Sequence, residues 1–196
     1  MIIGVVLARG GSKRIPGKNK KLLGPLPLVA WTIVVARYAA MLDGLVVSSD
    51  DPEILDIARQ HNAHALLRPD DLASDEASSY AALLHAVDQC DGYYRDVCLL
   101  QPTSPFRTAW DIDVCCKAQQ ERVLPAAVSC QEGRDVPNGA VYVGEIGWLR
   151  DGGSFDNPDA TIKHFMPRET SLDIDTPEDW AQAERLIAER ECRTSL

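Results

Sequence analysis

The apolar residues of this chain fall into short continuous runs that alternate with longer amphipathic segments. Residues 2–8 form a β-rich apolar run that leads into two glycines, a pattern typical of a strand buried on both faces. The same pattern predicts strands at 45–49, 63–67, 96–100, 126–129, 140–143 and 163–166. Length and helical spacing predict helices at 28–40, 53–61, 78–90, 108–121 and 176–191, followed by a frayed tail.

This alternation of strands and helices predicts one α/β domain over residues 1–196, with a mainly parallel sheet and helices on both faces. Ligands in such folds bind beyond the carboxyl ends of the strands. We therefore expect four loops to share one rim of the sheet: 9–21, 50–51, 101–107 and 173–175. A further loop is expected at 131–138, and no domain boundary.

Local sequence signals mark the starts of three helices. Ser78 or Ser79 can cap one of them, and Thr176, followed by a proline and two acids, begins another. Asp50 and Asp51 end a strand at the predicted rim, where Asp51 is also a natural cap for the next helix. Capping is the favoured interpretation of Asp51, with a role at the rim as the alternative.

Composition and charge narrow the class of ligand. Of the 196 residues 45% are hydrophobic and 25% are charged, the balance of a globular protein. The formal net charge of −9 argues against general binding to nucleic acid or to anionic membranes. Six of the 20 Lys and Arg residues nevertheless lie between positions 9 and 21. A basic patch in an acidic protein predicts a small anionic ligand.

The cysteines and the N-terminus indicate a compartment. No cysteine belongs to a C-x-x-C pair or has a histidine at zinc-binding spacing, and most lie in apolar runs, which favours buried thiols. The N-terminal apolar run is too short for a signal peptide, and no run approaches the ~20 apolar residues of a membrane-spanning helix. We therefore expect a cytoplasmic, reduced protein. The six cysteines are Cys90, Cys98, Cys115, Cys116, Cys130 and Cys192.

The basic patch lies in a glycine-containing loop that follows the first predicted strand. Residues 8–19 read Ala-Arg-Gly-Gly-Ser-Lys-Arg-Ile-Pro-Gly-Lys-Asn. Glycines let the backbone approach a ligand, and Arg and Lys supply donors that match phosphate oxygens. The loop is not a Walker A motif, because Asn19 follows Lys18 in place of Ser or Thr, and it lacks G-x-G-x-x-G spacing. Phosphate binding is favoured, with a solvated basic loop as the alternative.

This loop resembles the N-terminal signature of the acylneuraminate cytidylyltransferase family, whose members make CMP-sialic, CMP-pseudaminic and CMP-legionaminic acids. Four further segments agree in order and spacing: Leu-Arg-Pro-Asp-Asp-Leu-Ala-Ser-Asp at 67–75, Leu-Gln-Pro-Thr-Ser-Pro at 100–105, Pro-Asn-Gly-Ala-Val-Tyr at 137–142 and Asp-Ile-Asp at 173–175. The resemblance implies a Rossmann-like nucleotidyltransferase fold. It also implies a magnesium-dependent transfer of CMP from CTP to the anomeric hydroxyl of a sialic-acid-type sugar, with release of pyrophosphate.

The resemblance further implies roles for individual residues. Arg9 and Lys18 would act on the triphosphate, where Lys18 would offset charge on the leaving pyrophosphate, while Arg68 and Ser79 would contact the cytidine. The implied CTP site consists of Ala8, Arg9, Gly11, Ser12, Lys18, Asn19, Arg68 and Ser79.

On the acceptor side, the resemblance implies that Gln101 faces the sugar, with Thr103 and Ser104 nearby. Arg107 follows the same segment and has two interpretations. It is either a contact for the carboxylate of the sugar or an ordinary arginine of a surface loop.

The resemblance assigns Mg²⁺ to Asp173 and Asp175, and these two aspartates also count as catalytic. Physical chemistry supports the pair independently, because residues i and i+2 of an extended segment face the same way, which leaves Ile174 to point inward. Two carboxylates with phosphate oxygens and water suit Mg²⁺. The alternative is that one acid only caps the helix that begins near Thr176.

The histidines and tryptophans favour structural roles. The four histidines form no visible cluster, so surface or packing positions are expected for His61, His64, His85 and His164. Three tryptophans lie in apolar stripes and are expected in the core: Trp31, Trp148 and Trp180.

One stretch departs from the family pattern. Members carry a longer insert after the strand near Val128, which helps form a homodimer and lends basic residues to the partner's sugar site. Here residues 130–137 are the whole connection, and Arg134 is its sole cation. We therefore expect CTP and an acidic sugar as partners, and a weakened homodimer. Two alternatives stay open: CMP transfer to another acidic acceptor, such as a different keto-sugar acid or a phosphonate, and a non-catalytic nucleotide-binding module.

Overall fold

The computed structural model describes residues 1–74 and 76–194. Asp75, part of the family-like segment at 67–75, lies outside the described residues, as do the side chain of Cys192 and the end of the tail. The strands are β1 (Ile2–Leu7), β2 (Leu22–Leu23), β3 (Leu26–Pro27), β4 (Gly44–Ser49), β5 (His64–Leu67), β6 (Asp96–Leu100), β7 (Ala126–Gln131), β8 (Pro137–Glu145) and β9 (Thr161–Met166). The helices are α1 (Leu28–Arg37), α2 (Pro52–Gln60), α3 (Ser79–Asp88), α4 (Ala109–Gln120), α5 (Ile146–Arg150) and α6 (Pro177–Thr194).

The strands of the described residues form one seven-stranded sheet, in the order β5-β4-β1-β6-β8-β7-β9, and a small β2-β3 ribbon. Within the large sheet every pair is parallel except the two pairs made by β8, which runs antiparallel to both β6 and β7. The predicted α/β class with a mainly parallel sheet is therefore confirmed.

Helices cover both faces of this sheet. One core cluster joins Ile33 of α1, Ile54 of α2 and Ile112 of α4 to the first face. A second cluster joins Leu83 of α3 and Leu149 of α5 to the opposite face. These side chains are almost fully buried, and each such burial contributes about 1.5–3 kcal/mol.

A third core cluster joins three of the four loops that were predicted to share a rim. It combines Ile15 from the glycine loop, Leu23 from the ribbon and Phe106 from the 101–107 loop with Ile174 of the 173–175 loop and Trp180 of α6. Because Ile174 has no exposed surface, it points inward as predicted. This packing fixes segments from distant parts of the chain against one another.

The helix starts agree with their sequence signals. Asp51 caps α2 by accepting a hydrogen bond of 2.8 Å from the backbone N–H of Glu53. Ser78 caps α3. At the start of α6, Thr176 and Asp179 exchange side-chain and backbone hydrogen bonds of 2.8 and 3.2 Å, which is a capping box.

Several parts of the sequence-based prediction were wrong or incomplete: the β2-β3 ribbon was not predicted, and the helix predicted at 28–40 ends at Arg37. The predicted loop at 131–138 is shorter, because β7 extends to Gln131 and β8 begins at Pro137. The intervening turn contains Gly133 at φ +77°, which favours glycine. The short helix α5 was not predicted, since five residues are too few for a helical period to show.

The remaining side-chain predictions agree in most positions. Trp180 is buried, while Trp31 and Trp148 are partly buried against core clusters. Cys90 is partly buried, and the other described cysteine side chains are buried: Cys98, Cys115, Cys116 and Cys130. Within the described part of the chain, none of the helices has both the length and the apolar character needed to cross a bilayer.

Candidate active site

Two adjoining cavities of about 410 Å³ each lie where the predicted rim loops meet. Gln101 and Asp173 line both cavities, so they stand at the boundary between them. The first cavity brings together most of the residues expected to bind nucleotide, sugar or metal: Arg9, Gly11, Ser12, Lys18, Asn19, Arg68, Ser79, Gln101, Thr103, Asp173 and Asp175.

Two expected site residues, Ala8 and Ser104, line neither cavity. Both are fully buried. The backbone N–H of Ala8 donates to Ser48 O at 3.0 Å and continues the sheet pairing. These two residues therefore lie beneath the side chains that line the cavities.

The glycine loop is held in place by two polar contacts. Asn19 is 8% exposed and donates from Nδ2 to Arg9 O at 2.9 Å. Asp50 accepts a hydrogen bond of 2.9 Å from the backbone N–H of Gly10. A Cβ atom at Gly10 would lie 2.8 Å from Cβ of Asp51, so only glycine fits there. The role of Asp50 was not foreseen, because a contact across forty residues leaves no local signal.

The cations of the basic patch point toward different parts of the molecule. Arg9 and Lys18 line the first cavity. Lys20 instead pairs with Asp51 at 2.9 Å, and Lys21 lies over the ring of Trp180 at 4.2 Å. Two of the six cations of the patch, Arg9 and Lys18, therefore line the cavity.

The terminal Asp-Ile-Asp segment meets the loop directly. Nζ of Lys18 donates to Ile174 O at 2.7 Å and to Oδ1 of Asp175 at 3.2 Å. Arg14 Nη1 lies 3.2 Å from the other carboxylate oxygen of Asp175. The backbone N–H of Ile174 donates to Thr103 O at 2.8 Å, which ties the segment to the 101–107 loop.

Asp173 carries the most unusual carboxylate of the site. Its Oδ1 is buried and has no hydrogen-bond partner among the described residues. Burial raises the pKa of Asp173, the nearby Asp175 adds to this, and Thr103 and Lys18 offset part of the rise. A buried carboxylate oxygen without a partner is costly unless a cation or donor completes it. This arrangement fits a divalent metal ion.

The donor set at this place suits Mg²⁺ bound together with a nucleotide. No group of three or more His, Cys, Asp or Glu side chains converges on one point in the described part of the chain. Asp173 and Asp175 therefore supply two carboxylates. Mg²⁺ is commonly held by one or two carboxylates together with substrate phosphates and water.

Arg107 contradicts both interpretations offered by the sequence. It is 2% exposed, so it is neither a surface arginine nor a contact in either cavity. Its guanidinium donates to Thr32 Oγ1 at 2.7 Å and to Gln101 O. Burial lowers the pKa of Arg107 to about 10, so the side chain stays charged at neutral pH. Arg107 supports from behind the loop that carries Gln101.

Arg68 and Ser79 are distant in sequence from the acidic pair, and both line the first cavity. Arg68 donates from Nε to Ser48 Oγ at 3.1 Å and from Nη2 to Ser48 O at 2.6 Å. Burial lowers the pKa of Arg68. Ser79 is the first residue of α3, beside the cap residue Ser78.

The second cavity is lined by amides, hydroxyls and two arginines. Its lining includes Gln101, Gln131, Arg134, Asn138, Gly139, Tyr142, Arg168, Ser171, Asp173 and Gln182. Asn138 is held by Ser129 Oγ at 2.7 Å and donates to Ser171 Oγ at 3.2 Å. Sequence reasoning assigned no role here to Tyr142, Arg168 or Gln182. For Tyr142, the matching segment at 137–142 was a signal.

Residues 3–133 match the cytidylyltransferase family. The CMP-N,N'-diacetyllegionaminic acid synthase of Legionella pneumophila is 32% identical over 222 aligned positions, covering 95% of this chain and 96% of the relative. The alignment is longer than the 196-residue chain, so the relative contains insertions. The N-acylneuraminate cytidylyltransferase of Escherichia coli O18:K1:H7 is 40% identical over 119 residues, covering 61% of this chain but 28% of the relative.

A structural comparison supports the same fold. The structure of CMP:2-keto-3-deoxy-manno-octonic acid synthetase complexed with CTP matches with a TM-score of 0.79 and covers 96% of this chain and 99% of that protein. The sequence identity is 16%, so this likeness concerns the fold alone.

Proposed function

The chain belongs to the cytidylyltransferase family, and from this premise we propose that it transfers CMP from CTP to the anomeric hydroxyl of a nonulosonic acid. The observation that carries the proposal is the meeting of Lys18 with Asp175, 3.2 Å apart, beside the unpaired buried oxygen of Asp173. A cation that could offset phosphate charge and two carboxylates that could hold a metal ion thus line one cavity, which supports the proposal. The relative that aligns over 95% of this chain, named for CMP-N,N'-diacetyllegionaminic acid, supports a nonulosonic acceptor.

Each of the two cavities would bind one of the two substrates. CTP would occupy the first cavity, with its triphosphate along the glycine loop and its cytidine toward Arg68 and Ser79. The sugar would occupy the second, which is rich in amides and hydroxyls. Gln101 and Asp173 line both, so the α-phosphorus and the anomeric hydroxyl would meet beside them.

The reaction is a single displacement. The anomeric oxygen forms a bond to the α-phosphorus, the bond from this phosphorus to the bridging oxygen breaks, pyrophosphate leaves, and the hydroxyl proton is released to water. Such a transfer depends on positioning and charge stabilisation more than on covalent catalysis. Lys18, with Arg9 beside it in the cavity lining, would offset negative charge on the pyrophosphate.

Asp173 and Asp175 would hold Mg²⁺, whose charge would offset that of the phosphate oxygens. The chain itself orients the pair, because Ile174 is buried between them and is hydrogen-bonded to Thr103 and Lys18. The cytoplasmic location expected from the sequence stays a prediction, which cell fractionation can test.

The test is a turnover screen with CTP and Mg²⁺, in which pyrophosphate release is followed for a panel of acceptors. The panel contains N,N'-diacetyllegionaminic acid, N-acetylneuraminic acid, pseudaminic acid, 2-keto-3-deoxy-octonic acid and a phosphonate, with an acceptor-free control. We expect release with a nonulosonic acid, and loss of release after chelation of the metal. Release only with another acceptor would refute the nonulosonic assignment. Calorimetric CTP binding without turnover for any acceptor would identify a binding module instead.

A further inference from the structure

Two arginines of the second cavity have no assigned role. Arg134 lies in the turn between β7 and β8, and Arg168 lies in the loop after β9. Neither guanidinium has a hydrogen bond or an ion pair with any residue within 1–74 and 76–194. By contrast, Lys20 is paired with Asp51 at 2.9 Å and Arg122 with Asp96 at 2.7 Å. In a chain of net charge −9, two unpaired arginines that line one cavity indicate an anionic ligand.

The backbone holds both arginines at fixed places. In the turn, the N–H of Arg134 donates to Gln131 O at 2.9 Å, and the N–H of Glu132 donates to Met166 O at 2.9 Å. Asp135, the next residue, forms an ion pair of 2.7 Å with Lys163 of β9. The turn that carries Arg134 is therefore attached to the strand that leads into the Arg168 loop.

The Arg168 loop is closed by its own contacts. The N–H of Ser171 donates to Arg168 O at 3.3 Å, and Ser171 Oγ donates to Pro167 O at 2.9 Å. Ser171 is 5% exposed and also accepts the hydrogen bond from Asn138. Both arginines thus extend from ordered backbone, while their guanidinium groups remain available to a ligand.

We propose that Arg134 and Arg168 bind the carboxylate of the acceptor sugar, and that both come from the same chain that binds the CTP. The inference rests on the proposed function and names the residues that select the acceptor. A guanidinium is a planar donor fork that matches a carboxylate. The cavity that both line reaches Asp173 and Gln101, where it meets the nucleotide cavity.

Acceptor chemistry explains why this contact matters for the reaction. In a 2-keto sugar acid, the anomeric carbon carries both the carboxylate and the hydroxyl that attacks phosphorus. Holding the carboxylate therefore positions the nucleophile on the neighbouring bond, and correct orientation of reactants lowers the barrier. Uncharged sugars and esters of the acid would lack this contact, so the two arginines would make the enzyme selective for acids.

The first experiment compares Arg134→Ala and Arg168→Ala with the wild type. Arg59→Ala is the matched control, because Arg59 is an exposed arginine on α2 paired with Asp56, away from both cavities. Pyrophosphate release is measured with the best nonulosonic acid and with its methyl ester. We expect each cavity variant to raise KM for the acid about tenfold or more and to reduce the preference for acid over ester. KM for CTP and the Arg59→Ala kinetics should stay unchanged.

The outcomes separate this inference from the proposed function. Wild-type turnover of a nonulosonic acid, with unchanged KM and unchanged acid-over-ester preference in both variants, overturns the role of the arginines alone. Absence of wild-type turnover with every nonulosonic acid overturns the proposed function, and the assignment of the arginines with it.

A mixing experiment tests the claim that the arginines act within their own chain. Arg168→Ala is mixed with Asp173→Asn after dissociation and reassembly, and turnover of the acid is measured at low acceptor concentration. If Arg168 serves its own site, every site in the mixture lacks one of the two residues, and activity stays at the sum of the separate variants. Recovery well above that sum would show that one chain completes the site of another and would overturn the inference.

Discussion

Lys18 and Asp175 are 157 positions apart in sequence, yet Nζ of Lys18 lies 3.2 Å from Oδ1 of Asp175. The same ammonium also donates to the carbonyl of Ile174 at 2.7 Å. This contact joins the loop after the first strand to the segment before the last helix. It brings an ammonium group and the carboxylates of Asp173 and Asp175 into the lining of one cavity.

Asp173→Asn should abolish turnover while leaving the fold intact. The substitution removes a charge whose Oδ1 has no partner among the described residues, so the free energy of unfolding should be unchanged or higher. Loss of groups that only orient metal ligands costs about 10–100-fold, so we expect a loss of kcat of at least ~100-fold. Steady-state kinetics and urea unfolding check this, with the exposed Asp159→Asn as control. Near-normal kcat would contradict the metal role.

Lys18→Ala should weaken both CTP binding and turnover. The side chain is 12% exposed and lines the first cavity, so its charge would act on a bound phosphate with little screening by solvent. We expect kcat/KM for CTP to fall about tenfold or more, because a charged hydrogen bond is worth about 1.5–3 kcal/mol. Lys117→Ala, on the exposed side of α4, is the control. A normal KM and kcat would count against a phosphate-binding role for the loop.

Arg107→Met should act on the acceptor site through Gln101. The change removes the donors to Gln101 O and Thr32 Oγ1 and leaves the buried Thr32 hydroxyl without this partner. We expect a destabilisation of about 1–3 kcal/mol in urea unfolding. We also expect a higher KM for the acceptor with a smaller change in KM for CTP. A loss of stability with both KM values unchanged would show that Arg107 has only a structural role.

Gly139→Ala should disturb Gln101 by a direct steric clash. Gly139 has φ +83°, and a Cβ atom there would lie 2.7 Å from Oε1 of Gln101. Gly152→Ala is a matched control, because Gly152 has φ +91° but no atom within 4 Å of its Cβ position. Both variants should lose about 1–3 kcal/mol to backbone strain. Only Gly139→Ala should raise KM for the acceptor, and an equal KM in both variants would contradict the predicted contact.

The contact between Asp111 and His164 should make the free energy of unfolding depend on pH in the acid range. Burial alone would raise the pKa of Asp111, but hydrogen bonds from His164, at 2.9 Å, and from Thr108 lower it below the ordinary value. The unfolded chain therefore binds more protons at acid pH, so Asp111 stabilises the fold above the ordinary carboxyl pKa. This contribution is lost as pH falls through the lower pKa of the folded state.

Urea unfolding of the wild type and of Asp111→Asn at several pH values measures this contribution. We expect a difference of about 1–2 kcal/mol at pH 7 that narrows under acid conditions. A difference that stays constant down to pH 2 would refute the assignment to the Asp111 carboxylate.

Much of the fold was predictable because its signals are local. The buried strand at 2–8, the cap residues Asp51 and Thr176, and the alternation of strands and helices depend on neighbouring residues and on backbone geometry. The antiparallel direction of β8 was not predictable, because strand direction depends on pairing with β6 and β7. The end of the predicted 131–138 loop depended on the same pairing.

By itself the sequence determined the family, the alternating architecture and the residue types that a nucleotide and a metal ion require, since those signals lie in short ordered segments. Tertiary structure decided which of these side chains reach the cavities. Ser104 and Arg107 are buried beneath the cavity lining, and Lys20 is paired with Asp51. Arg134 and Arg168 line one cavity. The physical reason is that burial and the direction of a side chain depend on packing between segments far apart in the chain, which no local pattern encodes.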